Sequence, residues 1–418
     1  MSNPITNNPD VRMRGFTSRA LVEDVLAWVD DNAHRLSTDP IELADACGRI
    51  LAEDVIAEHD VPPFDRASMD GYAVQGNATD GAGDYNPLEF RLLGESLPGS
   101  AFAGELESGT AIRIMTGAPV PSGADAVVPA EYATESNGVV RITTAVSPGK
   151  HVGRIGEDVQ TGSVLLHAGR RLRPQDLGVL ASVGAPTVNV VRRPSVRVII
   201  TGDELVLPGE TLGADCIFES NSFVLRSLIQ RDGGRLESMR RVKDDRDSIT
   251  KAMCDTGADV VLVSGGSSVG AEDHAPSILR EVGNLAIHGV AMRPSSPVGM
   301  GRVGEAMIFL LPGNPVSCLC AYDFFAGRAI RLRGGRSSDW PYPRIAATVE
   351  RKIVSAIGRV DYCRVLLNEG RVIPLSTSGA SILTSTTRAD GFVIVPAASE
   401  GFAIGANVEV LLYDSPSA

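Results

Sequence analysis

The sequence predicts a multidomain α/β plus β chain, in which a central parallel sheet covered by helices on both faces is joined to β-rich regions. Three observations predict it. From Ser195 onward, short β-branched runs alternate with helical stretches, as buried parallel strands and their crossover helices require. Between residues 61 and 150 the composition turns rich in Gly, Pro and Thr around short strand-like runs, the pattern of a separate small sheet or barrel. The chain has 418 residues, room for roughly two to four domains.

Taken in order, residues 1–14 are polar and rich in Asn and Pro, a segment expected to fray. Thr17 is placed to cap a helix whose face is Leu21, Val22, Val25, Leu26 and Val29, with Phe16 stapling onto Leu21. A second short helix is expected over residues 43–52. In the Gly- and Pro-rich region, strands are expected at 88–93, 110–115, 126–128 and 138–143. The α/β core should carry strands at 196–200, 235–242, 260–263 and 306–311, and helices near 223–231, 246–256, 274–282 and 316–332. After a linker-like stretch at 334–343, strands at 345–353, 362–367, 371–374, 392–395 and 408–412 predict a terminal all-β domain.

Composition narrows the function classes. Acidic residues outnumber basic ones, 51 to 39, for a formal net charge of −12, which disfavours a nucleic-acid or anionic-membrane binder. Any anionic ligand must be held by local design. The six cysteines lack metal-ligand spacing and follow no signal-peptide pattern, so they read as reduced thiols of a cytoplasmic protein. No apolar run approaches the roughly 20 residues of a membrane span.

Parallel strands bring their carboxyl-end loops to one sheet edge, where open α/β sheets bind ligands. Four loops meet that description: Thr201 to Glu204, Lys243 to Asp245, SGGSSVG at 264–270 with Asp273 beyond, and LPGNPVS at 311–317. The loop with Gly265, Gly266 and Gly270 lies between strand and helix, so its amides can cradle a phosphate. It lacks the Walker and dinucleotide patterns, and the same glycines also suit a plain tight turn. Glu204, Asp244 and Asp273 follow three different strands. They can share a crevice with phosphate oxygens only beside a cation, and Mg²⁺ fits because it takes a few carboxylates together with water and phosphate oxygens. Loop acids also cap helices, and Asp273 is placed to do so. His274 reads as packing or helix-start chemistry rather than a metal ligand, since no second histidine stands at ligand spacing. The PGNP segment, with Pro312, Gly313, Asn314 and Pro315, makes a rigid floor or a simple strand-to-helix turn.

Six segments recur in order: PPFDRASMDGYAV at 62–74, RIMTGAPVPSGADAVVP at 113–129, GED at 156–158, TGDEL at 201–205, SGGSSVG and LPGNPVS. Together they resemble the MoeA family of molybdopterin molybdenumtransferases, which includes the gephyrin E-domain, from about residue 17 to 412. The resemblance implies four domains: a discontinuous N-terminal domain from residues 1–60 and 151–192, an inserted β-rich domain over 61–150, a three-layer α/β molybdopterin-binding domain over 193–335, and a C-terminal β-barrel over 336–418. It implies a homodimer in which the inserted domain of one subunit faces the α/β crevice of the other. The implied reaction inserts molybdate into adenylylated molybdopterin with Mg²⁺-dependent release of AMP, giving molybdenum cofactor.

By the same resemblance, catalytic positions fall on Asp70, Thr116, Glu204, Asp244 and Asp273, the last three also as Mg²⁺ ligands. Substrate-binding positions fall on Asp203, Ser264, Gly265, Gly266, Ser267, Ser268, Gly270, Arg293, Pro312, Gly313, Asn314, Pro315 and Arg359. The chain departs from the family at Arg293-Pro-Ser-Ser-Pro297, where many relatives carry two lysines that attract the oxyanion, leaving one cation there. The anion-contacting arginine of a C-terminal segment matches Arg359, and Ser381 is a loose match. Three other readings compete: a molybdopterin adenylyltransferase, which would need neither the Asp70 insert nor the barrel; a gephyrin-like scaffold, which need not keep the carboxylates together; and a paralogue acting on another oxyanion such as tungstate. Molybdopterin adenylyltransferase and molybdoenzymes are the partners this chemistry implies.

Overall fold

A computed structural model describes residue 16 and residues 18–266, 273–376 and 379–414. They divide into two units, one of residues 40–190 and one of residues up to 39 together with 191 onward.

In the unit of residues 40–190, six strands form one sheet: β1 (Gly71–Val74), β2 (Leu88–Ser96), β3 (Thr110–Ile114), β4 (Ala126–Pro129), β5 (Ala133–Ser136) and β6 (Val139–Ile142), in the order β4-β1-β3-β2-β6-β5. All four residues of β1 are buried, so the segment between Asp70 and Gln75 is a strand at the sheet interior. Its motif therefore presents Asp70 at a strand end. Segments before and after this sheet in the chain pair with each other, Val55–Ile56 with Val164–Leu166 and Arg66–Ala67 with Val152–Gly153. The helix expected over 43–52 is a single 3₁₀ turn, Leu43–Asp45. The chain there turns instead to bond residues far along it, through Leu43 N to Pro186 O and Ala52 N to Asn189 O, both 2.9 Å.

The other unit opens with α1 (Val22–Asn32), which buries Val22, Val25 and Val29 as the spacing required. Thr17 lies outside the described residues. Leu21 is 51% exposed, and Phe16 packs edge-on to His288, with ring centroids 5.0 Å apart, rather than stapling the helix start. Next come β7 (Ser195–Thr201), α2 (Asn221–Arg231), β8 (Arg235–Val242), α3 (Arg246–Cys254), β9 (Val260–Ser264), α4 (Ala275–Val282), β10 (Asn284–His288), β11 (Gly299–Val303) and β12 (Ala306–Leu311). The sheet order is β8-β7-β9-β12-β11-β10, the first four parallel and β11 antiparallel to both its neighbours.

Side chains alternate between two apolar cores, as the pleat demands. Val198, Leu262 and Phe309 face α2, whereas Ile199, Val263 and Leu310 face α3 and α4. That is the three-layer sandwich. The helix expected over 316–332 forms as one continuous run, α5 (Pro315–Ala321) and α6 (Gly327–Arg333) joined by a π turn at Tyr322–Ala326, whose Asp323 is drawn into a buried cluster with Arg231 at 2.8 Å.

Five strands then close a barrel: β13 (Arg344–Val349), β14 (Val360–Asn368), β15 (Arg371–Ser376), β16 (Gly391–Val395) and β17 (Asn407–Leu412). Closure follows because β14 pairs with both β15 and β16, and the circuit runs β14-β15-β13-β17-β16. A closed barrel leaves no strand edge to protect. Tyr362 stacks on Phe392 at 4.1 Å, and Trp340 packs at 5.4 Å from the same ring.

Candidate active site

The chain leaves β7 toward β8 on one side of the sheet and returns to β9 on the other, so the loops after β7 and β9 diverge at a topological switch point. A crevice opens there. It forms a cavity of about 590 Å³ lined by Thr201, Gly202, Glu204, Asp244, Ser264, Gly265, Gly266, Asp273, Pro312, Gly313, Asn314 and Pro315 among others. The three carboxylates line this one cavity, but among the described residues no three such side chains converge on a single point. Asp203 does not line the cavity; its Oδ1 accepts the Asp244 amide at 3.3 Å, so it holds the loop behind the ligand wall. Ser267, Ser268 and Gly270 lie outside the described residues.

The neighbouring acids divide the work. Asp245 caps α3, accepting the Ser248 amide and hydroxyl, both at 2.8 Å, which holds its carboxyl below the usual range. Asp244 is thereby left to the cavity, where its Oδ1 accepts the Thr201 hydroxyl at 2.8 Å. His274 occupies the N-cap position of α4, so Asp273 is not the cap.

Backbone geometry explains the glycines. Gly265 has φ +103°, and a Cβ there would lie 2.2 Å from the Thr201 carbonyl oxygen, so the β9 loop can cross the β7 loop only as glycine. Asn221, unread in the sequence, ties three elements: its amide donates to Ser264 Oγ at 3.0 Å and Gly313 O at 2.7 Å. It is buried at the start of α2. An Asn following a Ser at a helix start carries no signal beyond capping. Ser381, from the barrel, donates to Asn314 Oδ1 at 2.8 Å, and Ala380 O accepts the Val316 amide at 3.0 Å.

A second cavity, about 860 Å³, shares Pro297, Pro312 and Asn314 with the first and is lined by Arg19, Arg293 and Arg359. The loop read as holding one cation thus faces two more, brought from distant segments. Arg293 Nε donates to Asp361 Oδ1 at 3.0 Å, and its second fork nitrogen pairs with Oδ2. Arg359 Nε is 3.7 Å from the same carboxylate, which is fully buried and also accepts the Ser355 hydroxyl at 2.7 Å.

Asp70 and Thr116 belong to the unit of residues 40–190. They meet each other: Asp70 Oδ1 accepts both the amide and the hydroxyl of Thr116, each at 2.7 Å. Those bonds, the amide first, hold the Asp70 carboxyl below its ordinary range.

Comparison with known proteins covers nearly the whole chain. Residues 20–184 match the MoeA N-terminal region (domain I and II), 197–331 a probable molybdopterin binding domain, and 346–413 the MoeA C-terminal region (domain IV). Among relatives, the molybdopterin molybdenumtransferase of Haemophilus influenzae is 33% identical across 86% of this chain and 89% of its own. The chain belongs to the MoeA family. Molybdopterin molybdenumtransferase 2 of Mycobacterium tuberculosis is 35% identical over 88% of this chain and 94% of its own. The molybdopterin biosynthesis MoeA protein of Pyrococcus horikoshii superposes with a TM-score of 0.82 at 32% identity, covering 95% of this chain and all of that one. No helix among the described residues of this MoeA-family chain is long and apolar enough to cross a membrane.

Proposed function

We propose that this MoeA-family chain is a molybdopterin molybdenumtransferase that inserts molybdate into adenylylated molybdopterin, with hydrolysis of the pyrophosphate link and release of AMP. One observation carries the reading: a carboxylate-lined cavity and an arginine-lined cavity adjoin across Pro297, Pro312 and Asn314. The substrates have matching parts, a phosphorylated pterin and a separate oxyanion. The relatives' names supply the class of chemistry.

The donor set fits Mg²⁺. Among the described residues Glu204, Glu219, Asp244 and Asp273 line the first cavity and no Lys or Arg does, so a phosphate entering it meets negative charge. Among the described residues no three acidic, His or Cys side chains converge closely enough to hold an ion alone, so the ion would need water and phosphate oxygens to complete its shell. Glu204, Asp244 and Asp273 would hold it. When bound, it would supply charge neutralisation at the phosphates being separated.

The chain's own groups do the rest. Gly265 and Gly266 let the backbone approach the ligand, and Asn221 fixes their loop against Gly313. Arg359 and the Asp361-oriented Arg293 attract the oxyanion. Asp70, held by Thr116, would complete the centre from the second copy of a homodimer and orient the attacking water. The product would pass to molybdoenzymes, and a molybdopterin adenylyltransferase would supply the substrate.

The test is AMP release from adenylylated molybdopterin with Mg²⁺ and molybdate. Asp70→Asn and Asp244→Asn should each lower it by about 100-fold or more. Turnover equal to wild type in both would remove them from the catalytic set.

A further inference from the structure

We propose that Arg19, on the strap ahead of α1, is an oxyanion-binding residue of the arginine-lined cavity, held in place by Ser296. The inference rests on the molybdate reading above. Arg19 Nε donates to Ser296 Oγ at 2.8 Å across 277 residues of sequence. The same hydroxyl donates to Val290 O at 3.2 Å, so its proton is committed elsewhere and its lone pair faces the guanidinium. The two bonds set the direction of Arg19 and leave its terminal nitrogens for a ligand.

The strap is pinned on both sides of Arg19. Ala20 N donates to Gly289 O at 3.0 Å, and Ala20 O accepts the Ala291 amide at 2.8 Å. Phe16 lies on Gly289, where a Cβ would come within 2.4 Å of the ring, and its ring is 5.6 Å from the Arg19 guanidinium. Gly289 has φ +88°; both the conformation and the contact demand glycine.

Charge makes the assignment. Among the described residues, Arg293 and Arg359 share the one buried carboxylate of Asp361, whereas the contacts of Arg19 are a hydroxyl and an aromatic face. Among the described residues no Asp or Glu lines the cavity. Three guanidiniums against one carboxylate leave two positive charges, the complement of a tetrahedral dianion. Arg19 is the member with no acid to satisfy, and it stands over the RPSSP turn that otherwise carries a single cation.

Equilibrium dialysis of the full-length protein against molybdate, with bound metal measured by mass spectrometry, tests this. Arg19→Gln should weaken molybdate binding about tenfold or more, and Ser296→Ala about threefold, because one removes the charge and the other its orientation. Arg19→Gln should melt with the wild type and bind adenylylated molybdopterin with wild-type affinity, and in turnover the loss should fall on the molybdate dependence rather than on the rate at saturation. Ser296→Lys in the Arg19→Gln background should recover molybdate binding by returning a cation to the same turn. Undiminished molybdate binding by Arg19→Gln while Arg359→Gln loses it would overturn the role of Arg19 and leave the function standing. A wild type that binds no molybdate would overturn both.

Discussion

At the scale of single residues, Asp70 and Arg197 hold their geometry through identifiable partners. Asp70 is exposed, yet two Thr116 donors fix its orientation. Because its folded pKa is depressed, that contact is fully present above the usual carboxylate range near 3.8 and is lost as pH falls through the lowered value. Carboxyl NMR titration should show Asp70 ionising below an unperturbed Asp, and Thr116→Val should return it only part-way, since the backbone amide remains. Arg197 is the opposite case, fully buried on β7, donating to Asp255 O at 2.7 Å and Thr256 O at 2.9 Å and pairing with Glu237 at 3.1 Å. Removing it orphans those acceptors, so Arg197→Ala should cost about 3–5 kcal/mol in urea unfolding. Cysteine accessibility is equally specific. Burial pushes the Cys318 and Cys363 thiols up to about 12, so at pH 8 a thiol reagent should modify exposed Cys47 and Cys254 in the native protein and reach Cys318, Cys320 and Cys363 only after unfolding.

At the scale of elements, the loops at the sheet edge are tuned by backbone clearance. Gly265→Ala forces a Cβ to 2.2 Å from Thr201 O at a positive φ, whereas Gly313→Ala meets nothing nearer than Gly265 Cα at 3.7 Å. The first should lose roughly 2 kcal/mol or more and the second should melt near the wild type. The strands flanking this crevice were legible in advance because a buried strand between two helical layers needs an unbroken β-branched run, as at residues 196–200 and 260–263. Others were not. β10 and β11 contain Asn284, Gly299 and Gly301, residues that lower strand propensity but are tolerated where neighbouring backbone crowds in: a Cβ on Gly301 would lie 1.9 Å from Asn284 O. The 3₁₀ turn at Leu43–Asp45 shows the reverse error. A helix was expected over 43–52, but bonds to Pro186 and Asn189 outcompeted it.

For the whole molecule, the catalytic proposal spans both units of the chain, with Asp70 and Thr116 in one and the carboxylate cavity in the other. If two subunits build each centre, mixed dimers of Asp70→Asn and Asp244→Asn chains should recover AMP release that neither homodimer shows, because one of the two centres is then intact. Failure of mixed dimers to exceed the parents would place each centre within one subunit. The order of motifs, the β-branched core strands and the carboxylates after them were determined by the sequence alone, since burial and turn chemistry act within a few residues. Tertiary structure alone decided which distant groups meet. Asn221 reaching Ser264, Asp361 taking the fork of Arg293, and Arg19 crossing 277 residues to Ser296 depend on packing that brings unrelated segments within hydrogen-bond distance, and no local pattern records such an approach.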